Sequence, residues 1–460
     1  MGIATINPYT NQMLKTFAEL TPQGIEAAVA TAEARFTMWS RTPYAERAGL
    51  LKGVARILRE RSSELSILLT TEMGKLIAES AGEIELSAAI FDYYADNGER
   101  FLSDRPLKPG HGEAMVRNSP LGVVLGVEPW NFPFYQVARF AAPNIMIGNV
   151  VLLKHASNVP QCAIAIEEIF RRAGAPAGVY TNLLIPGGHI SALLDDHRIK
   201  GASLTGSEEA GRSLAAAAGK NGKKSVLELG GSDAFIVLED ADIDQAVEWA
   251  FVGRMNNTGQ CCVASKRMIV VDAVAEQFIK KFVARMSNLR VGDPQDACTQ
   301  LGPLSSEEAA VHLMRQVDDA VKAGAKVLLG GKRIDRKGAF VEATVLTELK
   351  PGLPISDEEM FGPVALIYRV KDEEEAVVLA NDSPYGLGCS VFTRDIARGK
   401  RIADRIDTGM VFINHPTWTA PELPFGGVKG SGYGRELSAL GIEEFVNRKL
   451  IRVSALDDPM

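Results

Sequence analysis

Apolar positions recur every three to four residues through the first hundred residues, then give way to short apolar runs separated by helical stretches. Thr21-Pro22 supplies a cap and a favourable first helical residue, and Ile25, Val29, Ala32 and Phe36 follow on one face. Two longer helical patterns are predicted over roughly 45–73 and 76–101. From about residue 122 the short runs 123–127, 150–153, 180–185, 201–204 and 225–229 alternate with helical segments, which predicts βαβ units and a parallel sheet covered on both faces. Such a sheet binds ligands beyond the carboxyl ends of its strands, where the loops carrying Asn131, Lys154 and Ser207 fall. A second alternating region runs from about 234 to 414, with strand-like 235–238, 268–271, 327–329 and 389–393, and predicts a second α/β domain. The closing run 450–453 pairs most simply with 114–118 in a small antiparallel module.

At 460 residues the chain exceeds the size at which one core usually keeps growing, so two or three domains are expected. Composition is that of a globular protein, 46% hydrophobic and 23% charged, and a net charge of -7 over this length speaks against a nucleic-acid partner. The nearest basic cluster, Lys220 to Lys224, reads as a solvated helix end. The N-terminus lacks the basic and apolar regions of a secretory signal, and no run of about 18 apolar residues is long enough to span a bilayer, so a cytoplasmic protein is expected. Five cysteines without framework spacing read as reduced thiols, and six scattered histidines offer no metal site.

Three short stretches carry candidate chemistry. Cys262 ends Asn257-Thr258-Gly259-Gln260-Cys261-Cys262, a polar turn able to expose a sulfur and aim backbone N–H groups at it. Glu228, between two leucines and before Gly230-Gly231, is a solvated strand end or a carboxylate kept for a task. Asn131, in Pro129-Trp130-Asn131-Phe132-Pro133, is a turn former or an oxyanion donor.

These elements, together with Leu204-Thr205-Gly206-Ser207, Glu359-Met360-Phe361-Gly362-Pro363 and Pro424-Phe425-Gly426-Gly427, resemble the aldehyde dehydrogenase superfamily over nearly the whole chain, and within it the shorter bacterial succinate-semialdehyde dehydrogenases. The resemblance implies a Rossmann-type parallel-sheet cofactor domain (1–106 and 127–229), an α/β catalytic domain (230–426), an antiparallel oligomerisation module (107–126 and 446–460) and a return segment (427–445). It implies Cys262 as nucleophile, Glu228 as general base and Asn131 as oxyanion donor. Trp130, Lys154, Ser157, Ser207, Glu359 and Phe361 match cofactor-binding positions for NAD or NADP, and a homodimer or homotetramer is expected. The implied activity is oxidation of an aldehyde, most simply succinate semialdehyde, through a cysteine thiohemiacetal and thioester; the alternative is a broad aliphatic or aromatic aldehyde dehydrogenase.

Three departures stand out. Phe140 occupies the position of a family lysine thought to serve a proton relay, whereas Glu436, another member of that relay, is kept. Ser157 replaces the glutamate of strongly NAD-preferring relatives, which predicts loose cofactor choice. Arg139, eight residues after Asn131, is expected at the mouth of the same pocket, where the resemblance implies an arginine gripping a substrate carboxylate; the alternative is a helix-surface arginine paired with a nearby acid. A second family arginine is replaced by Asn256, with Arg254 as its substitute. Two further readings compete: a phosphotransferase, because Gly206-Ser207-Glu208-Glu209-Ala210-Gly211-Arg212-Ser213 lacks only the lysine of a Walker A loop, and a non-catalytic relative, which has no physical reason to keep nucleophile, base and oxyanion donor together.

Overall fold

The computed structural model describes residues 2–349, 355 and 357–456. The expected helices form as Pro22–Trp39, Tyr44–Glu60, Ser62–Met73 and Ile77–Phe101. The Thr21 hydroxyl caps the first by accepting from the Gly24 N–H at 3.1 Å. The pattern over 45–73 breaks into two helices because Arg61 leaves the helical region (φ -102°, ψ 11°), with its guanidinium tied to Glu64 and Glu168. A hairpin of Ala4–Asn7 with Gln12–Thr16 precedes them; its second strand is exposed throughout, so no apolar alternation announces it.

The first large sheet runs in the order Gly432–Tyr433, Lys224–Glu228, Ile199–Thr205, Val123–Glu128, Val150–His155, Tyr180–Asn182. All its pairs are parallel except that of Gly432–Tyr433. Chain order reverses at Val123–Glu128: the next two strands add on one side and the following two on the other. A crevice therefore opens at the carboxyl ends of Val123–Glu128 and Ile199–Thr205, the place where doubly wound sheets bind ligands. The helix Pro133–Ile147 leaves this crevice and is buried at every position, roofing the sheet.

The second sheet has the order Lys326–Leu329, Thr344–Thr347, Val364–Val370, Ser265–Val271, Asp233–Val237, Gly388–Phe392, Met410–Ile413, parallel except at its first pair. The small antiparallel sheet joins Val446–Val453, Glu113–Pro120 and Arg105–Leu107, with Leu450 opposite Val116. Two boundaries need correction. An edge at 126/127 cuts the Val123–Glu128 strand, whose hydrogen bonds all run into the parallel sheet, and the small sheet begins at Arg105 rather than 107. Met1 and residues 457–460, assigned above to the cofactor domain and the small module, lie outside the described residues. Among the described residues no helix is long and apolar enough to cross a membrane.

Candidate active site

Asn257, Thr258 and Gly259 all take the left-handed conformation (φ 54°, 55° and 77°), coiling the chain tightly just before the two cysteines. Two of the three carry a Cβ and are disfavoured there, so the turn persists only because its surroundings fix it. Glu79 accepts the Asn257 N–H at 2.8 Å, and the Asn257 amide donates to the carbonyls of Asn131 (2.9 Å) and Gln260 (3.1 Å). At Gly259 a Cβ would collide with the Gly362 carbonyl. Lys266, fully buried, donates to the Cys261 and Cys262 carbonyls at 2.9 and 2.8 Å and pairs with Glu359 at 3.0 Å. Sequence reasoning missed this lysine, although a charge inside the apolar strand Ser265–Val271, four residues past the nucleophile, was a signal.

Cys261 is buried and Cys262 half-buried. The adjacent Cys261 sulfur and burial push the Cys262 thiol up from its ordinary value, while Arg139 and Lys266 pull the other way. Asn131 donates its amide to the Gln260 carbonyl at 3.2 Å, which ties this side chain to the nucleophile loop. Its helix, Pro133–Ile147, starts under the Glu83 carboxylate, which accepts from the N–H groups of Phe134 (2.8 Å) and Tyr135 (3.2 Å) and is neutralised by Lys75.

Cys262 borders two cavities. One, about 400 Å³, also has Asn131, Glu228, Lys154, Ser207, Glu359 and Phe361 in its wall. Glu228 ends its strand 2% exposed, with neither carboxylate oxygen hydrogen-bonded. Burial pushes this carboxyl well above the usual carboxylate range, with Glu436 adding to the rise and Arg139 opposing it, which suits a base that must take a proton near neutral pH. The cavity fits a dinucleotide. Ser207 caps Glu208–Lys220, a helix N-terminus of the kind that receives phosphate, and Lys154 has no ion-pair partner among the described residues. Gly230 lets Glu359 approach closer than any side chain would allow, and Trp130 meets Phe361 edge-on at 5.7 Å. Ser157 lies one residue beyond the lining Ala156. Arg212 is bound to Glu208 at 2.8 Å on the helix surface, so no free cation stands where a Walker A lysine would.

The second cavity, about 310 Å³, has Phe132, Tyr135, Trp418, Phe425 and Thr419 in its wall, with Glu79 and Glu83. The structure corrects both arginine expectations. Arg139 is not at the mouth: it is 1% exposed and lies behind the wall, paired with Glu436 and donating to Tyr135 Oη (3.2 Å) and Thr205 Oγ1 (3.0 Å). The helix Pro133–Ile147 is buried on every side, so residue 139, in its second turn, is enclosed by packing. Arg254 does not replace the missing cation either; its guanidinium donates to the carbonyls of Val364 (2.7 Å) and Met360 (2.8 Å), bracing the Glu359 segment. Asn256 does border the cavity. Tyr135 Oη and Thr419 Oγ1, 2.8 Å apart, are the polar pair through which Arg139 makes itself felt there. Among the described residues no group of three or more His, Cys, Asp or Glu side chains is placed to hold a metal.

Comparison with known proteins gives a consistent result. Residues 1–451 match the aldehyde dehydrogenase family. The chain is 51% identical over 449 residues to a Deinococcus radiodurans protein named succinate-semialdehyde dehydrogenase (NADP(+)), covering 98% of this chain and 94% of that one. It is 48% identical over 457 residues to a Mycobacterium bovis protein named succinate-semialdehyde dehydrogenase (NADP(+)) 1, covering 99% and 100%. The crystal structure of succinic semialdehyde dehydrogenase from Streptococcus pyogenes in complex with NADP+ superposes with a TM-score of 0.97 at 45% identity, covering 99% of this chain and 100% of that one.

Proposed function

The chain belongs to the aldehyde dehydrogenase family, and we propose that it oxidises succinate semialdehyde to succinate with NADP, accepting NAD less well. A simple aldehyde has no hydroxyl proton to lose with its hydride, so sulfur must add first. The Cys262 thiolate, the form in which each hydrolysis leaves the sulfur, attacks the carbonyl carbon and forms a thiohemiacetal, whose oxyanion is met by the Asn131 amide and a backbone N–H of the nucleophile loop, each contributing roughly 2.7–4 kcal/mol. A nicotinamide held in the cavity with Glu359 and Phe361 would accept the hydride, and its loss would turn the adduct on Cys262 into an acyl thioester. Glu228 then takes a proton from water as the oxygen attacks the thioester, and the sulfur departs as thiolate.

The observation that carries this reading is that Cys262 borders both cavities, with Asn131 and Glu228 sharing its wall on the nucleotide side. Tyr135 and Thr419 hydroxyls, backed by the Arg139 charge, receive the distal carboxylate. Lys154, free of a carboxylate, and Ser157 in place of a glutamate leave room for a 2′-phosphate. The test is formation of reduced cofactor from succinate semialdehyde with NADP and with NAD; no turnover with either removes the reading, and a cofactor preference above roughly a thousandfold, about 4 kcal/mol, removes the loose choice.

A broader aldehyde dehydrogenase is favoured by one observation: the wall of the aldehyde cavity contains four aromatic rings and no basic side chain. Comparable kcat/KM for butanal and succinate semialdehyde decides for it. Assembly follows from the edge strand Val446–Val453, whose Leu450 and Val453 are 62% and 56% exposed; a homodimer or homotetramer closes that edge.

A further inference from the structure

Phe140 leaves open where the proton collected by Glu228 goes, and the register of the parallel sheet offers an answer. Thr205 stands opposite Glu228, and Leu204 opposite Val127, so Glu128, Thr205 and Glu228 form one row across the carboxyl ends of three adjacent strands. Side chains in one row of a parallel sheet share a face, and at the usual strand spacing the two glutamates are about 10 Å apart at the backbone, with only Thr205 between them. The Thr205 hydroxyl accepts from Arg139 at 3.0 Å, which leaves its own proton free to be given, and the four buried carboxyl oxygens of Glu128 and Glu228 have no hydrogen-bond partner among the described residues. Arg139 also pairs with Glu436, which accepts from Ser203 Oγ at 3.0 Å. Three buried carboxyls thus surround a single guanidinium; Arg435 and Glu444 are the other charges acting on Glu228. His155, next in the row beyond Glu128, takes no part: its Nδ1 accepts from the Ala156 N–H at 2.9 Å and its Nε2 is bound to the Pro133 carbonyl at 3.0 Å.

With Glu436 matched to Arg139, this interior tolerates one further negative charge, not two, because unpaired buried carboxylates repel and are poorly solvated. We propose that Glu128 and Glu228 share one proton through the Thr205 hydroxyl, and that Glu128, which also borders the nucleotide cavity, delivers the proton of each hydrolysed thioester to solvent. Before hydrolysis Glu128 is the acid and Glu228 the anion. Water loses a proton to Glu228 while its oxygen bonds the acyl carbon, and the carbon–sulfur bond breaks. Glu128 then loses its own proton into the nucleotide cavity. The proton on Glu228 passes to Thr205 Oγ as the hydroxyl proton passes to Glu128, which restores the starting state with one proton released per acid formed.

The inference rests on Glu228 as the base, and the test separates the two. In E128Q the first turnover of reduced cofactor keeps its wild-type rate, steady-state turnover with succinate semialdehyde and NADP slows by about tenfold or more, and imidazole at fixed ionic strength restores it in proportion to its concentration. Steady-state turnover equal to wild type overturns the proposal, as does a loss that imidazole leaves unchanged or that the first turnover shares. T205V, which cuts the bridge and leaves both carboxyls, is judged by the same three readings if E128Q does not fold. E228Q assayed beside them marks the other failure: unslowed steady state there removes Glu228 as base, whereas slow E228Q with normal E128Q removes only the shared proton.

Discussion

On the nucleotide side of Cys262 the wall is made of strand ends: residues 128–131, 154–156, 205–207 and 228–230 leave four neighbouring parallel strands and arrive together. On the aldehyde side it is made of helix faces and loops: one face of Ile77–Phe101, the start of Pro133–Ile147, the nucleophile turn and the segment around 418–425. The difference decides what charges do. Lys154 at a strand end has no carboxylate partner among the described residues, whereas Lys75 is matched by Glu83 beneath the other cavity and Arg139 by Glu436 between the two. A parallel sheet presents its strand-end loops mainly through backbone register, with Lys266–Glu359 as an added brace, while a cavity between helices leans on internal pairs to fix its shape.

The largest expected effect lies at the junction. C262A should lower turnover by about three orders of magnitude or more while NADP binding, followed by fluorescence titration, stays at the wild-type value; C261S should keep turnover within a few-fold, so that only one sulfur joins the two cavities. Next comes the aldehyde side. R139A leaves Glu436 buried without its partner, so the unfolding free energy in urea should drop by about 3–5 kcal/mol, and kcat/KM should fall for both aldehydes, more for succinate semialdehyde than for butanal because the charge behind Tyr135 is lost. Loss confined to succinate semialdehyde, with stability intact, would instead put Arg139 against the substrate.

The strand-end side carries its own signature. Burial holds the His155 imidazole at a pKa of about 4 against 6.5 when free, so the unfolded chain takes up the proton first as pH falls. The stabilisation is complete above pH 6.5 and is lost on descent toward 4, about 3 kcal/mol in all. The thermal midpoint should fall over that window, and H155Q should remove His155's share of the slope; an unchanged slope would show that other groups cause it. Smaller effects sharpen each side in turn. S157E should shift the kcat/KM ratio toward NAD by roughly tenfold, about 1.4 kcal/mol, through repulsion of a 2′-phosphate. Y135F should cost succinate semialdehyde about 1 kcal/mol in kcat/KM and leave butanal nearly unaffected; equal losses would remove the hydroxyl pair from substrate recognition.

The same contrast explains what could be read along the chain. The strands around 123–128, 150–155, 199–205 and 224–228 carry apolar runs and turn residues of their own, so local pattern places Asn131, Lys154, Ser207 and Glu228 near one crevice. The aldehyde cavity has no such local signature. Spacing alone brings Arg139 close to Asn131, but burial of the helix on every side, set by tertiary packing, turns it inward onto Glu436, more than 290 positions away in sequence. Arg254 was misread for the same reason, being consumed by carbonyls of the segment 360–364. Lys266 and Glu128 are charges embedded in apolar strands, a local anomaly visible in the sequence; the structure pairs Lys266 with Glu359 and leaves both Glu128 oxygens without a hydrogen bond among the described residues.

The most direct measurement concerns the covalent link between the two cavities. E228Q incubated with succinate semialdehyde and NADP, quenched in acid and digested, should show by mass spectrometry the peptide containing Cys261 and Cys262 heavier by one succinyl group, located on Cys262, in an amount matching the burst of reduced cofactor. Reduced cofactor formed without an acyl group on that peptide, or with the acyl group on Cys261, would contradict a reaction in which Cys262 holds the substrate between hydride transfer and hydrolysis.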